Sequence, residues 1–163
     1  MISHYVELVE RIRGEVSDLD YLVQKVLMVW DCCKKQADEQ EVYMDSVALN
    51  LHGLYSGLER IFELIARRVD QNMPGGNLWH RELLKQVSQD KGDIRPSVIG
   101  SESFYFLDEL RRFRHLVRNV YTFNLLPEKI EPMVLGLSGI WSKVKAELLA
   151  FADFLEQVGE NKL

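Results

Sequence analysis

Hydrophobic residues recur along this chain at helical intervals, and no segment sustains a strict two-residue alternation. Tyr5, Leu8, Ile12, Val16, Leu19, Leu22, Val26 and Trp30 stand three or four positions apart, the spacing that lines one face of an α-helix. This pattern predicts a long helix over residues 2–38. Val47, Leu51, Leu54, Leu58, Ile61, Ile65 and Val69 repeat it and predict a second helix over 41–72, with the continuous stripe of a buried face. Asn72-Met73-Pro74-Gly75-Gly76-Asn77 reads as a loop. Asn77 is placed to cap a shorter helix over 78–90, which Asp90-Lys91-Gly92-Asp93 ends. Arg95-Pro96 lies in a connection, and Ser101 or Ser103 starts a further helix reaching about residue 122. Pro127 opens a last region whose first part is weakened by Pro132, Gly136 and Gly139. From 137 to 158, Leu137, Ile140, Trp141, Val144, Leu148, Phe151 and Leu155 restore an amphipathic pattern. The expected fold is all-α: an antiparallel helical bundle of about four long helices plus a short accessory helix, forming one domain over residues 1–163.

Composition supports that reading and narrows the chemistry. Hydrophobic residues make up 47% and charged residues 28% of the 163, enough to build a core without disulfides or metal. The formal net charge of −5 argues against wholesale coating of nucleic acid. Contact with an anionic polymer then needs a concentrated basic patch. Cys32 and Cys33 are adjacent and are the only two cysteines, so no disulfide framework is expected and they read as packing residues. The N-terminal residues lack a signal pattern, and no apolar run is long enough to span a bilayer. A cytoplasmic protein is expected. His4, His52, His80 and His115 show no paired-histidine spacing, so no metal site is expected; there is no Gly-rich phosphate loop or Walker-type sequence, and no cofactor is expected.

One segment stands apart: Arg114-His115-Leu116-Val117-Arg118-Asn119-Val120-Tyr121. On a wheel of about 100° per residue, Phe106, Leu110, Phe113, Leu116, Val117 and Val120 share one arc. Arg111, Arg114, His115 and Arg118 gather on another, with Tyr121 at its edge. Like charges on adjacent turns repel, and a phosphate would relieve that repulsion by accepting paired guanidinium hydrogen bonds. The competing reading is a solvated basic face, or arginines paired with acids such as Asp108, Glu59 and Glu63. His52, Tyr55 and Glu59 fall on one polar face of the second helix, either lining a cleft or forming a solvated or interface face. Trp79-His80-Arg81 either stacks on a base or caps a core edge. Gly53 and Gly57, one turn apart, admit either a partner's helix or tight packing within the protomer.

The segment resembles the motif of the HEPN superfamily, specifically of HepT-like toxins. That motif reads Arg, a polar residue that is usually Asn, three residues, His, one residue, Tyr. Arg114 and Tyr121 hold the matching places, while His115 stands at the usual Asn position and Asn119 at the usual His position. The second helix from Ala48 to Glu63, Trp79-His80-Arg81-Glu82-Leu83-Leu84 and Arg112-Phe113-Arg114-His115 are similar to one subgroup, so the likeness covers roughly residues 45–155. The resemblance implies a homodimer whose motif helices face each other across a cleft. It implies a metal-independent RNA endonuclease in which the 2′-hydroxyl attacks its own phosphate. A histidine moves a proton and an arginine stabilises the developing charge. The implied partner is an antitoxin resembling a minimal nucleotidyltransferase, which adds AMP to the motif tyrosine, here Tyr121. On this basis Arg114, His115 and Asn119 are the candidate catalytic residues. Arg111, Arg118 and Tyr121 are the candidate phosphate or RNA contacts. Asn119 does not titrate, so His115 is the motif's one candidate proton carrier. The alternative is a non-catalytic protein that binds RNA or nucleotide, or serves as partner to a nucleotidyltransferase.

Overall fold

The structure, a computed structural model, describes residues 2–119 and 126–161, with side chains from residue 5 onward. Every regular element among them is helical. Helix α1 (Ile2–Lys35) is followed by a single 3-10 turn at Ala37–Glu39 and by α2 (Gln40–Arg68). The short α3 (Trp79–Val87), then α4 (Ser101–Asn119) and the long α5 (Pro127–Glu160) complete the order.

Cross-helix contacts fix the topology. Glu7 meets Arg68 at 3.3 Å and Glu15 meets Arg60 at 3.6 Å, so α2 runs back along α1. Arg13 meets Asp153 at 2.8 Å while Lys34 meets Glu131 at 3.8 Å, so α5 is also antiparallel to α1. Ser103 donates to Glu147, and Phe106 packs over Gly136, which sets α4 antiparallel to α5. Helix α4 closes the ring by packing on α2, and α3 bridges the same two helices. The result is a four-helix bundle with antiparallel neighbours and one accessory helix, as expected from the pattern. Its core is a single cluster that includes Leu8, Ile12, Val16, Val23, Leu51, Leu58, Ile65, Leu107, Leu110, Val144 and Leu148.

Three local expectations are revised. The last helix does not wait for residue 137: it begins at Pro127, whose missing N–H costs nothing at a first-turn position. It continues through Pro132 because Ile130 and Val134 are buried and extend the core stripe backwards. The Pro132 ring lies on the solvent side, and packing outweighs one lost hydrogen bond. Asn77 does not cap α3, since Leu78 takes the N-cap position without a side-chain hydrogen bond. Helix α2 stops at Arg68 rather than 72. There Gln71 turns into the left-handed region, with φ 53°, and Asn72 N–H reaches back to the Ala66 carbonyl at 2.9 Å. That bond reaches one residue further than the six-to-one bond of a Schellman ending and closes a wider turn.

The loop after α3 is held by a buried ion pair that the sequence pattern does not announce. Arg95 and Asp70 are almost wholly buried and meet through two hydrogen bonds of 2.6 and 2.7 Å. Arg95 also donates to the carbonyls of Gln86, Gln89 and Pro96, and Gln86 donates to Asp70 at 2.7 Å. Every oxygen and N–H of the pair is thereby occupied, which is what makes burying it tolerable. This clamp ties the end of α2 to the C-terminal end of α3 and the loop that follows it.

Candidate functional site

The α2–α4 seam carries the polar residues. On α2, His52, Ser56 and Glu59 follow one another at helical spacing, and each faces the arginine side of α4. Arg114 projects from α4 onto this stripe. Its Nε donates to Ser56 Oγ at 3.1 Å, and its Nη1 stands 3.9 Å from Glu59 Oε1. The remaining terminal nitrogen, Nη2, has no partner among the described residues. The guanidinium is therefore positioned through Nε and Nη1 with Nη2 left over, able to donate to an incoming phosphate oxygen.

Glu59 is 5% exposed, an unusual place for a carboxylate. Its second oxygen, Oε2, lies 2.7 Å from Nδ1 of His80, at the start of α3. The His80 ring stacks on Trp79 with centroids 3.6 Å apart. One buried carboxylate thus joins a guanidinium from α4 to an imidazole from α3. Tyr55, on the same turn of α2, is buried rather than lining a cleft. Burial, with the Glu59 carboxylate adding to it, pushes its phenol above the usual range.

The other motif residues divide. Arg111 donates to Asp108 at 2.8 and 3.0 Å, and Arg112 donates to the same carboxylate at 2.7 Å. Burial pushes the Asp108 carboxyl up, but the two arginines more than offset it and hold it below its usual range. Arg111 is therefore largely neutralised, as the acid-pairing reading anticipated for Asp108. Glu63 instead pairs with Arg67. Arg118 and His115 are exposed, and no hydrogen bond holds either side chain among the described residues. The Asn119 amide donates to the His115 carbonyl at 2.7 Å, one turn back on its own helix. Tyr121 lies outside the described residues. His52 feels burial first, then Arg114 and Arg118, and all three press its pKa below the ordinary imidazole value. Gly57 packs inward: a Cβ there would meet Leu19 of α1 at 2.6 Å, so its smallness serves packing within the protomer.

The chain matches the family model described as HepT-like protein over residues 46–155. That span holds most of α2, all of α3 and α4, and most of α5. This chain belongs to the HepT-like family of the HEPN superfamily. The match covers more than half of its length and includes every residue of the Arg114 seam. No curated protein and no solved structure matches it.

The Arg114 segment lies on α4; of its partners on the neighbouring helices, the acid-pairing reading named Glu59, while Ser56 and His80 were missed. Ser56 and the linked pair Glu59–His80 gather at Arg114 from two other helices. His52 and Glu59 carried a signal, since both lie on one polar face of α2. Ser56 carried none, and the contact of His80 with that face depends on how α3 packs against α2.

Proposed function

We propose that this HepT-like chain is the toxin component of a cytoplasmic toxin–antitoxin pair and acts as a metal-independent RNA endonuclease. The observation that carries the reading is Arg114, held through Nε and Nη1 by Ser56 and Glu59 with Nη2 available to a phosphate oxygen. Arg118, exposed one turn further along α4, supplies a second cation. Together they would stabilise the charge that builds on phosphorus as the 2′-hydroxyl attacks. In this reading two copies pair so that their α4 helices face one cleft, and His115 and Tyr121 border the bound RNA. The partner is a minimal nucleotidyltransferase that transfers AMP to Tyr121, blocking the cleft with a bulky nucleotide and adding negative charge beside the arginines.

A second reading has one specific observation behind it. The Asn119 side chain is spent on its own helix backbone and has no proton to exchange at neutral pH. A protein with that motif could bind RNA, or its nucleotidyltransferase partner, without cutting. RNA cleavage in the presence of chelator separates the two. Wild type should cut, and Arg114→Ala should lose about 100- to 1,000-fold in kcat. Tight RNA binding with no cleavage by wild type would favour the binding reading.

A further inference from the structure

The buried Glu59 carboxylate has a second client besides Arg114, and that client is an imidazole. Its two oxygens face His80 Nδ1 at 2.7 Å and Arg114 Nη1 at 3.9 Å. A carboxylate on Nδ1 selects the tautomer with the proton on that nitrogen and leaves Nε2 as the acceptor. His80 Nε2 has no partner among the described residues. The ring cannot swing freely, because Trp79 stacks on it at 3.6 Å. Its side chain is 29% exposed, so it reaches solvent while its inner nitrogen is bound to a group that is 6% exposed. An imidazole with one nitrogen fixed and the other free, one carboxylate away from a phosphate-binding guanidinium, is equipped to take a proton.

Among the described side chains, the other imidazoles lack one part or another of this arrangement. His115 is exposed and no hydrogen bond sets its ring. His52 lies near Arg114 and Arg118, but no acceptor fixes its tautomer. Asn119 cannot titrate.

We propose that His80, oriented by Glu59 as its positioning residue, is the base that takes the 2′-hydroxyl proton when RNA is cleaved at Arg114. This rests on the endonuclease reading above and names the group that compensates for Asn119. In the step, His80 Nε2 removes the 2′-hydroxyl proton and the 2′-oxygen forms a bond to phosphorus. The bond from phosphorus to the 5′-oxygen breaks, and that oxygen leaves with a proton from water. The products are a 2′,3′-cyclic phosphate and a 5′-hydroxyl, and His80 returns its proton to solvent. The charged groups facing His80 are Glu59 from α2 and, across that carboxylate, Arg114 from α4.

The test is metal-free cleavage of a pool of random-sequence RNA oligonucleotides by the full chain, followed between about pH 5 and pH 9. Wild type, Arg114→Ala, His80→Gln, Glu59→Gln and His115→Gln are compared, with circular dichroism confirming the fold of each. His80→Gln should lose about 100-fold or more, and its residual activity should lack the rise with pH that wild type shows on the acid side. Glu59→Gln should retain more activity but move that rise along the pH axis, which a purely structural bridge would not do. Cleavage by His80→Gln within threefold of wild type, with the same acid limb, overturns the assignment to His80. If Arg114→Ala is inactive in that case, the endonuclease reading stands. A wild type that does not cleave at any pH overturns both. If His80→Gln does not fold, nitrogen-15 spectra of the wild-type histidine rings decide. A 2′-fluoro RNA, which binds but offers no nucleophile, should shift the His80 Nε2 resonance, and an unmoved resonance overturns the proposal.

Discussion

His52 shows how the arginine face acts on a neighbour before any ligand arrives. Burial comes first, then the positive field of Arg114 and Arg118, and both disfavour the imidazolium. The folded-state pKa is therefore below the unfolded value of 6.5. Well above 6.5 such a group is uncharged in both states, and its shift leaves stability unchanged. As pH falls below 6.5 the unfolded chain binds the proton first, so stability is lost on acidification until the folded-state pKa is passed. His52→Gln should remove that part of the acid sensitivity, measured as the urea midpoint against pH. Bound phosphate offsets the two guanidinium charges, so RNA should raise the His52 titration midpoint observed by NMR. A midpoint at or above 6.5 in the free protein would contradict the proximity to Arg114 and Arg118 on which this rests. The motif residues were readable because their types and spacing are local. Of their partners only Glu59 was named, as one of several acids; Ser56 and His80 join Arg114 only through the way α2, α3 and α4 pack.

Among the elements, the long helices followed from apolar spacing, whereas their ends depended on backbone geometry that side-chain type hints at weakly. Helix α5 illustrates the first point in reverse: a proline and two glycines looked like a break, yet Ile130 and Val134 continue the buried stripe through them. Helix α2 illustrates the second. Its apolar repeat runs on to Val69, and the chain turns at Gln71, a residue type with no preference for the left-handed region. The Asn72 to Ala66 hydrogen bond and the Arg95 clamp on Asp70 hold that turn closed. The left-handed conformation costs a non-glycine residue roughly 1 kcal/mol, and Gln71 is exposed. Gln71→Gly should therefore stabilise the fold by about 1 kcal/mol, read from chemical unfolding. An unchanged or lower stability would mean that the Gln71 side chain contributes something that the strain conceals.

Taken whole, the molecule carries a net charge of −5 but gathers arginines on one side of α4. That combination sets how it should respond to salt. Diffuse attraction to RNA is opposed by the acidic remainder, so binding rests on the few arginines that are not already paired. Arg111 and Arg112 share Asp108 and count for little. On α4 that leaves Arg118, which is unpaired among the described residues, and Arg114, whose Nη2 is open although its Nη1 stands 3.9 Å from Glu59. Each phosphate contact on a single strand contributes about −0.7 to the slope of log affinity against log salt. One protomer then gives a slope near −1.4, and two protomers facing one cleft give about −3. Titrating a labelled, 2′-fluoro RNA at several salt concentrations measures the slope without cleavage. Light scattering on the same samples at micromolar protein gives the oligomeric state. The composite cleft requires a dimer together with the steeper slope, and Arg118→Gln should shallow it to roughly half. A dimer with a slope near −1.4 would place the two α4 helices on separate RNA sites, and a monomer with that slope would put one phosphate-binding edge on each chain.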